Sequence, residues 1–91
     1  MEDQVSGYHI REISKGVLGQ SSKIREELEE LEDGEDQGNK ILMLCELSDL
    51  IGAIDAYRQY HFGNNISFDD LVKMSKATTR AFESGSRKLQ I

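Results

Sequence analysis

Apolar residues between Asn39 and Phe62 recur over more than half of a helical circumference, and no proline interrupts them. This pattern predicts a long central helix, with Asn39 as its cap and Gly63-Asn64-Asn65 as its stop. Upstream, Ile24, Leu28 and Leu31 stand at i, i+4 and i+7, one stripe of a shorter helix. Ser21 or Ser22 is positioned to cap that helix, and glycines from Gly34 to Gly38 to end it. A third helix begins at Ser67, three residues before Asp70 in a capping-box spacing. Leu71, Met74, Thr78, Ala81 and Phe82 make its inner stripe, and it frays near Gly85. Residues 1–7 read as a loose start. Tyr8 to Ile13 alternates apolar and polar positions and could form a short strand, before Gly16 and Gly19 break any regular element. The expectation is an all-α fold in one domain, residues 1–91. It has an extended or loop segment over 1–19 and a helical core over 20–88.

Length sharpens that picture. A chain of 91 residues buries only about 60–65% of the surface its unfolded form exposes, so the three helices are expected to complete their bundle by oligomerisation. The net charge of −6 argues against a nucleic-acid backbone as partner. It leaves room for a nucleotide held through a metal ion. The single cysteine, Cys45, lies in an apolar run and reads as a small buried hydrophobe in a reducing, cytoplasmic setting. No apolar run approaches the roughly 20 residues of a membrane-spanning helix, and nothing resembles a signal peptide.

The chemistry is concentrated in acids. Eight of the eleven residues from Glu26 to Asp36 are carboxylates, and such a run on a helix is ordinarily a solvated face. Position divides it. With Ile24 as origin, Glu27 falls at about −60° and Glu30 at about −120°, on the side of the apolar stripe, while Glu26 and Glu29 point away from it. The second helix repeats the spacing with Glu46 and Asp49, at about −100° and −160° from Leu47, at one edge of its core. Two such pairs on consecutive antiparallel helices can face each other across the seam, where four carboxylates repel unless cations neutralise them. An oxygen-only donor set suits Mg²⁺ or Mn²⁺. An EF-hand loop is a poor alternative: in the frame starting at Asp33, the apolar eighth place holds Lys40 and the bidentate twelfth holds Leu44.

Among other polar groups, Lys73, Lys76 and Arg80 share one face of the third helix, either a solvated basic face or a phosphate clamp. Arg87 and Lys88 could reach the site of a neighbouring copy. His61 reads as the frayed end of the second helix, Tyr57 and Tyr60 as packing residues. The role of His9 is undetermined.

Glu26-Glu27-x-x-Glu30 followed by Glu46-x-x-Asp49 resembles the EExxE…ExxD motif of the MazG-like, all-α nucleoside triphosphate pyrophosphohydrolases. The likeness covers about residues 20 to 88, and "SKIREELEEL" and "ELSDLIGAIDAY" are similar to short phage-encoded members. The resemblance implies a dimer or a dimer of dimers that hydrolyses a nucleoside triphosphate to monophosphate and pyrophosphate. It implies Glu27, Glu30, Glu46 and Asp49 as Mg²⁺ ligands, with Mn²⁺ a possible substitute, and Glu26 as a support for them or for the attacking water. It also implies basic residues on the helix after ExxD, here Lys73, Lys76 and Arg80, and a role in nucleotide pool control in a host cytoplasm. The chain departs from longer relatives in carrying "YHIREISKGVLG" where they have a further helix, and in placing Ala77, not Asn, four residues after Lys73. A different function class, an acidic helical module that binds a basic protein partner without catalysis, fits the composition as well.

Overall fold

The computed structural model describes residues 9–84; the expectations for residues 1–8 and 85–91, Arg87 and Lys88 among them, lie outside the described residues. The fold is all-helical: α1 (Ser21–Gln37), α2 (Lys40–Phe62) and α3 (Phe68–Ser84). No strand occurs among the described residues.

Local chemistry sets most boundaries. Gly38 ends α1 in the left-handed conformation, φ 68°, where a side chain would be strained, and its N–H donates to the Glu35 carbonyl. One residue later the Asn39 side chain accepts from the Leu42 N–H and caps α2. Ser67 and Asp70 exchange reciprocal bonds of 3.0 and 3.1 Å at the start of α3, the expected capping box. The start of α1 differs from expectation. Gln20 is its N-cap and makes no side-chain cap bond, while the Ser22 hydroxyl accepts from the Val17 N–H.

α1 and α2 pack as an antiparallel hairpin. α3 stands off it, and the molecule extends 43 × 30 × 22 Å. The Arg58 guanidinium braces the turn by donating to the Gly63 and Ile66 carbonyls. Because α3 does not close onto the hairpin, part of its expected inner stripe is exposed: Met74 is 57% accessible and Phe82 40%.

The interior departs furthest from the apolar pattern. Among the described residues, Leu42 and Ala53 are the only buried hydrophobic ones, whereas Glu26, Glu27, Asp33 and Glu46 are all buried. Leu47 and Leu28, expected inside, are exposed. The inner face of α2 centres on Glu46, not on Leu47, so Glu46 lies at the middle of the seam, while Asp49 is exposed at its edge. Cys45, one helical step from Glu46, is exposed rather than buried.

Residues 9–20 form no strand. They run beside α1 in the opposite direction, and side chains take the bonds a sheet would have made. Ile10 and Arg11 donate their N–H groups to the Asp33 carboxylate, and Gly16 donates to Glu26 at 2.7 Å. A Cβ at Gly16 would overlap the Ser22 carbonyl, so this strap needs glycine there.

Candidate metal centre

Glu27 and Glu30 project from α1, and Glu46 and Asp49 from α2, into one cluster. Each offers an oxygen, and the four oxygens lie within 4.8 Å of one another. The structure thus brings together the four acids that the i, i+3 spacing selects. Glu46 is fully buried, Glu27 nearly so, and Glu30 half-buried; Asp49 is exposed and leaves one side of the cluster open.

Such a cluster is electrostatically expensive. Two unit charges about 4 Å apart repel by roughly 4 kcal/mol at an effective dielectric of 20. The chain responds with a raised carboxyl pKa and with two side chains, Lys23 and His9, set against the acids. Burial, with the hydrogen bond and charge of Glu46, pushes the Glu30 carboxyl up to about 7. Burial also raises Glu27, helped by Glu30 and Asp49 and opposed by Lys23. Lys23 reaches Glu26 and Glu27 at 3.2 and 3.1 Å. Burial acts against its charge, but the bonds to Glu27 and Glu26 outweigh this and raise its pKa. His9 enters from the strap, with Nε2 3.0 Å from Glu46 and 3.8 Å from Glu30. Two buried oxygens, Glu27 Oε1 and Glu46 Oε1, still have no hydrogen-bond partner. Orphaned carboxyl oxygens of this kind are what a hard divalent cation satisfies, so the donor set fits Mg²⁺ or Mn²⁺.

Glu26 is not one of the converging four. Expected to point outward, it is buried beneath the strap and tied to Gly16 and Lys23; burial opposes its charge, but those bonds hold its pKa below the usual range. Asp33, expected in solvent, is 2% exposed and receives the His9 ring, two backbone N–H groups and the Gln37 amide. The outer acids behave as expected: Glu32 and Asp36 stay accessible and pair with Arg11.

Lys73, Lys76 and Arg80 are exposed on α3, and none forms an ion pair with the cluster; Lys73 pairs with Asp69 at 3.2 Å. Among the described residues the lysine at the acids is instead Lys23. Its i, i+3 and i, i+4 spacing to Glu26 and Glu27 was a legible signal. His9 and Asp33, separated by 24 residues, left none. His61 lies within the last turn of α2, stacked on Tyr57 at a ring separation of 4.1 Å. Tyr57 is half-buried, consistent with packing, whereas Tyr60 is exposed. No helix among the described residues is long and apolar enough to cross a membrane.

No known protein family matches the chain, and neither does any curated protein or solved structure.

Proposed function

We propose that the chain is a nucleoside triphosphate pyrophosphohydrolase of the MazG-like kind, dependent on Mg²⁺ or Mn²⁺, cleaving a (deoxy)nucleoside triphosphate to monophosphate and pyrophosphate. The observation that supports it is the convergence of Glu27, Glu30, Glu46 and Asp49, the acids of the double motif, around two orphaned carboxylate oxygens. In this reading those four residues hold the cation. When bound it supplies Lewis-acid polarisation and neutralises charge on the triphosphate and the departing pyrophosphate. The exposed Asp49 side admits the substrate, and a carboxylate of the cluster accepts the proton of the attacking water. Glu26 keeps Lys23 and the strap in place beside Glu27.

The reading includes self-association. Ile41, Leu44, Leu47 and Ile51 are exposed along α2, and Leu28 on α1. A hairpin with two buried apolar residues needs further apolar burial to be stable, and a second copy laid on this face supplies it. Because α3 stands off its own hairpin, Lys73, Lys76 and Arg80 are assigned to the triphosphate of a neighbouring copy.

The test is product analysis with a deoxynucleoside triphosphate panel and Mg²⁺ or Mn²⁺. Monophosphate and pyrophosphate are expected, with turnover abolished in Glu30→Gln and Asp49→Asn while both variants stay folded. Diphosphate and phosphate, or activity surviving both substitutions, overturns the reading.

A further inference from the structure

His9 has no part in that reaction, yet it is among the most tightly held side chains of the molecule. Its side chain is 4% exposed. Nδ1 lies 2.8 Å from Asp33 Oδ2, and Nε2 lies 3.0 Å from Glu46 Oε2 and 3.8 Å from Glu30 Oε1. Asp33 also accepts from Ile10 N at 2.9 Å, Arg11 N at 3.4 Å and Gln37 Nε2 at 3.0 Å. A carboxylate with so many donors stays ionised and fixes a hydrogen on Nδ1. That leaves Nε2 turned toward Glu30 and Glu46.

An imidazole anchored through one nitrogen by a buried carboxylate, with the other nitrogen aimed at further ligands, is how proteins orient a metal-binding histidine. His9, Glu30 and Glu46 each bring a donor atom within 4.8 Å of the others, a second grouping that overlaps the carboxylate quartet. A protonated ring acting only as counter-ion would balance one of three acids, and Glu46 Oε1 is buried with no partner despite it.

We infer that His9 Nε2 is a nitrogen ligand. With Glu30 and Glu46 it completes a mixed nitrogen–oxygen position for a first-row transition cation such as Co²⁺, Ni²⁺ or Zn²⁺. The inference rests on the reading of the quartet as a metal centre. Asp33 is the positioning residue. The strap therefore completes a metal centre that the hairpin alone would leave all-oxygen. An imidazole donor favours Co²⁺, Ni²⁺ and Zn²⁺ over Mg²⁺, so His9 sets metal preference as well as affinity.

The test uses the full chain titrated with Co²⁺ and, separately, Mg²⁺. Proton NMR of the Co²⁺ form is expected to show a hyperfine-shifted imidazole N–H, the Nδ1 hydrogen shielded by Asp33. The signal should be absent in His9→Gln and retained in His61→Gln, because His61 lies 15 residues further along α2, about 22 Å from Glu46. Co²⁺ affinity should fall about tenfold or more in His9→Gln, and less in Asp33→Asn, with Mg²⁺ affinity nearly unchanged. Saturable Co²⁺ binding without a shifted imidazole hydrogen overturns the inference and leaves the carboxylate reading standing, as does His9→Gln binding Co²⁺ as tightly as the parent. Failure to bind Co²⁺ and Mg²⁺ alike overturns both.

Discussion

Glu30 stands between His9, which favours its charge, and Glu46 and burial, which oppose it, and the opposition wins. Between about pH 4.5 and 7 the folded chain keeps a proton there that the unfolded chain has released. Metal-free stability must therefore fall as pH rises through that interval. His9 acts in the same direction. Burial lowers its pKa, but the bonds and charges of Asp33, Glu46 and Glu30 raise it overall, so its contribution is full below 6.5 and lost above its folded value. Asp33 works at the other end. Burial opposes its charge, but the His9 ring and the other donors lower its pKa, so its contribution is lost only in acid. Thermal melts in EDTA should show Tm declining from pH 5.5 to pH 8. Glu30→Gln should flatten that decline and raise Tm at pH 8 by ~4–8 °C, about 1 kcal/mol for a domain this size. A flat profile for the parent protein would contradict the assignment of charge in the cluster. Asp33→Asn should cost about 2–4 kcal/mol in urea unfolding, because it leaves His9 and two backbone donors without their anion. The quartet was legible because equal spacing on neighbouring helices fixes which acids can meet. Asp33 and Glu26 were not, because a helical wheel takes burial to come from the apolar stripe, and here the strap buries them from the other side.

At the scale of elements, the strap and α2 carry the surprises. "YHIREI" alternates like a strand, but an extended segment with no partner strand must send its N–H groups elsewhere, and Asp33, Glu26 and Ser22 receive them. Gly16→Ala should loosen this arrangement through overlap with the Ser22 carbonyl. Amide hydrogen exchange is expected to quicken at Ile10 and Arg11, and trypsin to cut faster after Lys15, with helical content unchanged; unaltered exchange at those amides would show that the strap does not depend on Gly16. Both ends of α2 and the start of α3 were readable from Asn39, Gly63 and the Ser67–Asp70 box, since caps are local. The inward face of α2 was not. Its apolar residues lie on nearly every side, so periodicity alone gives no direction, and the carboxylates decide it.

At the scale of the whole molecule, the described residues form a small apolar core, an acidic interior and an outward apolar face. A single copy leaves Leu44 and Ile51 largely in water, and a chain of 91 residues buries only about 60–65% of the surface its unfolded form exposes. Size-exclusion chromatography with light scattering is expected to give a dimer or tetramer. The double substitution Leu44→Asp with Ile51→Asp should reduce it to a monomer and lower Tm by 10 °C or more, about 2 kcal/mol. A monomeric parent protein would mean that something else covers this face. In the proposed reaction the acidic seam directs water to the α-phosphorus of a nucleoside triphosphate. Hydrolysis in ¹⁸O-labelled water with Mg²⁺ or Mn²⁺, read by mass spectrometry, shows which phosphorus the water attacks. One labelled oxygen in the monophosphate and unlabelled pyrophosphate are expected. Label in pyrophosphate or in released phosphate, or no turnover by the folded protein, would contradict that reaction.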